Sequence, residues 1–437
     1  MKRSIFVILG LAALLSAPAV FAQEAEAGSE SAEAFAIIPN LEPEETTAIE
    51  QNQTKASFKS NLKGCRIYLN HNFQGVTPLT LSNMVEGFYL LNEGMKDWNL
   101  ASLDYYNYAT GEYERDVYTD ANPTTVMELG DVGNDIGIYG SKMYMVINLS
   151  NKVEVVDKRT VKRIAQIDIP NCRYIKFHKG YAYISSYVGP VALAGEGGSD
   201  DDVYQQGAVF KVDTATLQVV DKCVVGRQPD ELDIVDGKIY VANSGGYSQG
   251  AKIGYENTVS VIDIDTFKEI ERIPIAINLL GCKCDRRGIL WVSSRGNYYD
   301  TPSMLYAYDT QKRRIVKTFD VRVASTWMDG DSLYVMSNEW SELAEGYSKG
   351  TYKIINTKTL EVVNECFITD GTDAKIKKPY GIAVNPITKD ILLTDAYSYV
   401  DFGFLYCFAP DGKMKWRIRT GNIPAHVVFL GENINEQ

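Results

Sequence analysis

Few side chains of this sequence are spaced for catalysis or metal binding. Of its three histidines, His71, His178 and His426, no two have the spacing of a metal-binding pair. The sequence contains neither a G-x-S-x-G nucleophile motif nor a phosphate-binding glycine loop. His426 is the histidine we expect near the centre of the fold, with a buried structural role as the alternative. These residue types predict a protein that is not an enzyme and needs no metal or cofactor.

The cysteines and acidic clusters also lack a complete ligand set. Cys282 and Cys284 would lie on one side of a strand as a pair of soft-metal ligands, but such a site needs two more ligands. Most of the seven cysteines fall in predicted strands, where a small buried hydrophobic role is favoured. The acidic run at 200–202, with Asp370 and Asp373, could hold calcium, yet no calcium-binding spacing specifies it.

Ligand binding is favoured by aromatic side chains concentrated in long polar segments. Tyrosine and tryptophan provide stiff contact area with a polar edge, although packing between loops is the alternative for any single ring. Arg227 and Arg295 could each donate two hydrogen bonds to an anionic group, an ion pair with a neighbouring carboxylate being the alternative. The predicted ligand-contact residues are Trp98, Tyr187, Arg227, Tyr247, Tyr255, Arg295, Tyr298, Tyr299, Trp340, Tyr380, Tyr397 and His426.

These long segments separate the strands of a repeating unit. Residues 227–275 contain four short stretches in which apolar and polar residues alternate, separated by turn sequences such as Asp236-Gly237. Seven such units follow one another along the chain, with the spacing of propeller blades. The chain enters at a second strand, GFYLLNE, and ends with an unmatched first strand, HVVFL. The sequence therefore predicts an all-β, seven-bladed propeller that is closed by pairing the C-terminal strand with the N-terminal blade.

The predicted loops differ between the two faces of the propeller. Loops that join the first to the second strand, or the third to the fourth, are tight turns. Loops between the second and third strands are long and aromatic, and they open on the same face as the links between blades. Loops longer than a turn requires usually carry function. We therefore expect the ligand site on this long-loop face.

The segments before the propeller have a different composition. Residues 1–22 are typical of a secretory signal peptide, with Lys2 and Arg3 ahead of an apolar run and a small residue at Ala22. Residues 23–60 contain eight glutamates and predict an acidic disordered linker. These eight glutamates supply most of the net charge of −12, and the remaining chain shows no basic footprint for nucleic acid. The domain boundaries that follow are a short β segment at 61–86, the propeller at 87–430 and a tail at 431–437.

The short β segment at 61–86 resembles part of a PEGA-type β module. The residues that carry this resemblance are Gly64, Tyr68, Gly75, Thr77, Pro78, Leu79, Gly87 and Tyr89. A strand-turn-strand cap on the propeller is the alternative.

The blades themselves resemble a known family. The segments VVGRQPDELDIVDGKIYVANSGGY, ILWVSSRGNYYDTPS and WRIRTGNIPAHVVFL are similar to the YncE-like seven-bladed propellers of Bacteroides-type bacteria, some of which are called surface-layer proteins. That group includes the BtuG proteins, which capture cobalamin at the cell surface for the BtuB transporter. The resemblance implies a corrinoid ligand across the long-loop face. BtuG-type proteins are lipid-anchored, whereas no cysteine directly follows this signal peptide. A relative with a different ligand is the alternative.

Three functions remain open from the sequence. The first is an exported propeller, in the periplasm, at the cell surface or outside the cell, that captures cobalamin or another small molecule without catalysis and without a transmembrane span. The second is an interaction scaffold of the cell envelope for a protein or glycan. The third is a lactonase-like enzyme, for which His426 and the acidic loops are the candidates.

Overall fold

The computed structural model describes residues 85–98, 100–124, 128–189, 205–248, 254–337 and 350–431, together with eight short strands before residue 85. Seven four-stranded antiparallel sheets form the blades of a propeller, which confirms the predicted fold. In each blade the first strand lies innermost, against the central channel, and the following strands lie progressively farther out.

The first four blades have the following strands, given from the channel outward. Blade 1 comprises Pro424–Gly431, Val85–Asn92, Ser102–Asn107 and Tyr113–Glu114. Blade 2 comprises Gly133–Tyr139, Lys142–Ile147, Lys152–Asp157 and Arg163–Asp168. Blade 3 comprises Cys172–His178, Tyr181–Ser186, Gln206–Asp213 and Val219–Arg227. Blade 4 comprises Pro229–Val235, Lys238–Asn243, Thr258–Asp263 and Lys268–Pro274.

The other three blades repeat the same order. Blade 5 comprises Leu279–Cys284, Ile289–Ser294, Met304–Asp309 and Arg314–Phe319. Blade 6 comprises Ser325–Asp329, Ser332–Met336, Tyr352–Asn356 and Glu361–Asn364. Blade 7 comprises Pro379–Val384, Ile391–Asp395, Phe402–Phe408 and Met414–Asn422.

The ring closes in blade 1, as predicted. The last strand, Pro424–Gly431, pairs antiparallel with the first propeller strand, Val85–Asn92, so that the two ends of the chain share one sheet. The first propeller strand begins two residues before the predicted boundary at Gly87. Closure pairs both edges of the strand Val85–Asn92, which removes the hazard of an open sheet edge there.

The core consists of seven apolar clusters, one at each junction between neighbouring blades. Alternation along the second strand of each blade explains this arrangement. In blade 2, Met143 and Met145 pack toward blade 1, whereas Tyr144 and Val146 pack toward blade 3. Both faces of the strand are therefore buried, and the period of two sends successive side chains to opposite neighbours.

The described connections contain three short helices, and the sequence predicted none of them. The α-helix Val117–Ala121 lies in the link from blade 1 to blade 2, and Tyr118 on it is buried in the first interblade cluster. Two single 3₁₀ turns occupy Gly246–Ser248 and Thr372–Lys375. Within the described residues, none of the helices is both long and apolar enough to cross a bilayer.

The strands before residue 85 form three small antiparallel sheets. The first pairs Arg3–Ile5 with Ala25–Ala27. The other two comprise Ala34–Ile37, Arg66–Leu69 and Asn72–Val76, and Ala48–Asn52, Lys55–Lys59 and Leu79–Thr80. The boundaries of the signal peptide, linker, β segment and C-terminal tail stay predictions. The resemblance of residues 61–86 to a PEGA-type module stays a prediction as well.

Candidate functional site

A channel runs through the centre of the propeller, with a cavity volume of about 1850 Å³. Its wall consists of the inner strands, and its lining combines polar and apolar side chains. The mouth on the long-loop face holds the N-terminal ends of the inner strands and the C-terminal ends of the second strands. We call this end of the cavity the channel mouth.

The inner strands are irregular where they enter the channel mouth. In every blade except blade 6, the pairing of the first with the second strand shifts register near the start of the first strand. Such β-bulges place an extra residue in one strand and redirect its side chain. The residues at these shifts include Asn134, Arg173, Tyr174, Asp230, Glu231 and Tyr380. The bulges therefore place polar side chains at the channel mouth.

One side of the channel mouth holds two arginines around a buried aspartate. Asp230 is fully buried, and it is paired with Arg173 at 3.1 Å and with Arg295 at 2.9 Å. The hydroxyl of Tyr187 donates a third hydrogen bond to Asp230, at 2.8 Å. Burial raises the pKa of Asp230, but the two guanidinium groups outweigh it and hold the pKa below its usual value. Asp230 is therefore ionised, and we call this group the arginine cluster.

The aromatic rings near the arginine cluster are held by neighbouring contacts. The guanidinium of Arg173 lies 4.9 Å from the centre of the Tyr187 ring, in a cation–π contact. The Tyr247 ring meets the Tyr187 ring edge to face, with 6.0 Å between the centroids. Tyr174, the next residue in the blade 3 bulge, lies edge to face with His426 at 6.5 Å. These contacts extend the aromatic surface from the arginine cluster toward blade 1.

The other side of the channel mouth carries a carboxylate. The Tyr380 hydroxyl donates a hydrogen bond of 2.7 Å to Glu93, and Nε2 of His426 lies 3.4 Å from the other oxygen of the same carboxylate. Burial and the nearby Glu93 raise the pKa of Tyr380 well above its usual value, which keeps the phenol protonated as a donor. Blade 1 thus provides a carboxylate acceptor and a histidine, and blade 7 provides a phenol donor, whereas blades 3 and 5 provide guanidinium donors.

From the channel mouth inward, carboxylates connect neighbouring blades. Asp135 accepts the backbone N–H of Ile175 at 2.9 Å, and Asp233 accepts that of Cys284 at 2.7 Å. Glu231 accepts the N–H of Cys282 at 3.0 Å and forms an ion pair with Lys283. These carboxylates satisfy backbone donors of the next inner strand, which explains charged residues in otherwise buried strands.

Five of the predicted contact residues line the cavity, namely Arg295, Tyr298, Tyr299, Tyr380 and His426. Tyr187 and Tyr247 lie directly behind the lining, in contact with the arginine cluster. Tyr255 is half-buried, and its pKa is raised to about 12 by burial and by the nearby Tyr298 and Tyr299. These residues belong to one continuous region of the long-loop face.

The structure places three predicted residues away from the cavity wall. Arg227 is buried and paired with Glu256 at 3.2 Å, so its guanidinium holds a loop of blade 4 in place. Tyr397 stacks beneath Lys377, and Trp98 is 66% exposed on the loop of blade 1. Trp340 lies outside the described residues.

Sequence reasoning missed four residues of the channel mouth, which are Glu93, Arg173, Tyr174 and Asp230. All but Glu93 lie in an inner strand, and Glu93 directly follows a second strand. The available signal was a charged residue near the start of a predicted inner strand, as in CRYIKFH and PDELDIV. The alternation of apolar and polar residues does not by itself show that strand pairing is interrupted at those positions.

The cysteines contribute to packing more than to chemistry. Cys172, Cys223, Cys282 and Cys407 are buried in their strands, as predicted, whereas Cys366 is exposed. Burial raises the pKa of the Cys282 thiol well above its usual value, which opposes formation of a metal-binding thiolate. Among the residues that the structure describes, no cluster of three or more histidine, cysteine, aspartate or glutamate side chains could hold a metal ion.

The propeller coincides with a family defined from sequence. A model described as Domain of unknown function (DUF5074) matches residues 86–430, which is nearly all of the ring. The chain belongs to the DUF5074 family. No curated protein matches the sequence of this DUF5074 chain.

Solved structures similar to this DUF5074 propeller share its fold at low sequence identity. Hydrazine synthase of Kuenenia stuttgartiensis has a TM-score of 0.52 and 15% identity, over 69% of this chain and 93% of that one. A quinoprotein alcohol dehydrogenase-like protein of Bacteroides thetaiotaomicron has a TM-score of 0.50 and 12% identity, over 92% and 95%. At these identities the likeness shows the fold alone.

Proposed function

We propose that this protein is a non-catalytic binding protein that holds a ligand over the channel mouth. The observation that carries the proposal is the set of bulged inner strands, which direct charged and aromatic side chains into an open cavity of about 1850 Å³. Small-molecule sites occupy roughly 300–1,000 Å³, so the channel has room for a ligand or for a large part of one.

The channel mouth is held in shape before any ligand arrives. The Asn297 side chain accepts the backbone N–H groups of Tyr299, Asp300 and Thr301, which fixes the loop of blade 5. Tyr298 in that loop has a φ of 65°, a left-handed conformation that a bulky residue adopts only under constraint. A rigid loop loses little conformational entropy on binding, which supports a recognition role.

A corrinoid is the ligand that we propose to test first. The blades resemble cobalamin-capture propellers, and a wide, flat ligand needs aromatic surface beyond the channel itself. Trp98 and Tyr299 are 66% and 60% exposed on the long-loop face and could supply that surface. The signal-like sequence at residues 1–22 supports export, and a captured corrinoid would then pass to an outer-membrane transporter of the BtuB type.

Calorimetric titration of the purified protein with cyanocobalamin tests this proposal. We expect binding with a Kd of roughly micromolar or tighter, and a pink colour that persists through desalting. Replacing Trp98 and Tyr299 together by alanine should weaken binding at least about tenfold, since each ring contributes contact area. The control is Ile270→Ala, which alters an exposed residue of an outer strand. Absence of heat and colour at tens of micromolar would exclude corrinoids.

A protein partner is the second candidate, because one sector of the long-loop face is apolar. Trp98, Leu100, Val400 and Phe402, in blades 1 and 7, are each at least 40% exposed. Exposed apolar groups on one face are typical of interaction surfaces. Capture from envelope extracts should yield one dominant protein with the wild-type chain and none with a Trp98→Ser, Phe402→Ser variant. An unchanged capture profile would exclude this sector as the interface.

A further inference from the structure

Arg295 uses only part of its guanidinium group within the protein. Nη1 donates to Asp230 at 2.9 Å and lies 3.4 Å from the carbonyl oxygen of Leu279. Among the residues that the structure describes, none accepts a hydrogen bond from Nε or Nη2 of Arg295. The side chain is 24% exposed and lines the cavity, so these donors are accessible from the channel.

The second arginine of the cluster has no comparable spare capacity. Arg173 donates from Nε to Asp230 at 3.1 Å and from Nη1 to Asn134, and its Nη2 lies 3.1 Å from Asp230. Arg173 thereby neutralises Asp230 and positions it. Since two guanidinium groups share one ionised carboxylate, the arginine cluster carries one excess positive charge, which is nearest to the channel at Arg295.

The other carboxylates around the channel mouth already have partners. Glu231 pairs with Lys283, Glu93 accepts from Tyr380, and Asp300 accepts from Asn297. None of these ion pairs or hydrogen bonds includes Arg295. Among the described residues that line this end of the cavity, no carboxylate other than Asp230 is therefore paired with Arg295.

We propose that Arg295 binds an anionic group of the ligand, a carboxylate or a phosphate, through its unused donors. The planar guanidinium edge matches two oxygen acceptors in one plane, which a carboxylate and a phosphate both provide. The rest of the ligand would lie against Tyr298, which lines the same cavity. This inference rests on the proposed binding function and specifies its ligand class as an anion with an apolar or aromatic body.

Three small probes with the same ring separate charge recognition from ring recognition. We expect benzoate or phenyl phosphate to bind the wild-type protein in calorimetry, and neutral benzamide to bind at least about tenfold more weakly. Binding of benzoate indicates a carboxylate ligand, and binding of phenyl phosphate alone indicates a phosphate ligand. Absence of binding by both anions, or equal binding of benzamide, would overturn the proposal.

Arg295→Lys is the decisive variant. Lysine keeps a positive charge next to Asp230 but lacks the planar pair of donors, so anion affinity should fall about tenfold or more. The matched control is Arg286→Lys, in the turn between the first and second strands of blade 5 at the opposite end of the channel, which should leave affinity unchanged. Equal loss in both variants would show that general channel charge, and not Arg295, attracts the anion.

Chemical protection of the wild-type protein provides a second measurement if Arg295→Lys does not fold. Phenylglyoxal modifies accessible arginines, and peptide mass spectrometry locates the modified residues. Benzoate or phenyl phosphate should protect Arg295 and leave Arg286 reactive. If neither anion protects Arg295 but cyanocobalamin still binds, this inference is overturned and the proposed binding function stands. If an anion protects Arg295 but cyanocobalamin does not bind, the inference is supported and only the corrinoid is excluded.

Discussion

Asp230 and Asp104 are both fully buried aspartates, but their surroundings differ. Asp230 faces two guanidinium groups and has a pKa below its usual value. Asp104 accepts hydrogen bonds from the Tyr113 hydroxyl at 2.6 Å and from the backbone N–H groups of Asp116 and Gly421. Burial raises the pKa of Asp104, and these neutral donors offset only part of that effect.

The difference separates a structural carboxylate from one that belongs to the proposed binding site. Asp104 joins blade 1 to Gly421, at the end of the last strand of blade 7, and so supports the closure of the ring without any cation. Asp230 lies at a bulge that opens on the channel, and it holds two arginines in place. A carboxylate that positions cations next to an open cavity supports the proposed binding role, because closure of the ring requires only hydrogen bonds.

The two sites should differ most in the free energy of unfolding that is lost when the negative charge of each aspartate is removed. Asp230→Asn leaves two arginines without their carboxylate and should lower the free energy of unfolding by about 3–5 kcal/mol. Asp104→Asn keeps one acceptor oxygen and should cost about 1–3 kcal/mol. Denaturant unfolding at pH 7 measures both values. Equal costs would contradict the distinction between the two sites.

The dependence of stability on pH should have opposite sign at the two sites. Because the folded pKa of Asp230 is lowered, its contribution is present above the unfolded pKa of about 3.9 and is lost as pH falls below it. The folded pKa of Asp104 is raised, so its contribution is present below about 3.9 and is lost as pH rises toward the folded value.

Unfolding free energies of the wild-type protein and both asparagine variants between pH 3 and pH 7 test these signs. The gap between wild type and Asp230→Asn should widen as pH rises through this range, and the gap for Asp104→Asn should narrow. If both variant curves ran parallel to the wild-type curve, neither carboxylate would titrate differently in the folded and unfolded states.

The same contrast explains how far the sequence could predict this molecule. Alternation of apolar and polar residues repeats in every blade, so the number of blades, the strand order and the closure through HVVFL were all predictable. The arginine cluster was not, because Arg173, Asp230 and Arg295 come from three different blades and meet only through the curvature of the ring. Arg227 shows the reverse case, since an arginine near aromatic residues was predicted to contact ligand, whereas it is buried and pairs with Glu256 in a loop of the next blade.

The smallest effects are expected from the two tyrosine hydroxyls that donate to these carboxylates. Tyr187→Phe removes one donor from Asp230 but keeps the ring beneath Arg173, and Tyr113→Phe removes one donor from Asp104. Each should cost about 1 kcal/mol at pH 7. Without the Tyr113 hydroxyl the pKa of Asp104 should rise further, so protonation there should extend to higher pH, whereas Asp230 keeps both guanidinium groups and stays ionised. The free energy of unfolding, measured at pH 5 and pH 7, distinguishes the two variants. A cost that changes with pH for Tyr187→Phe, together with a constant cost for Tyr113→Phe, would reverse the roles assigned to the two aspartates.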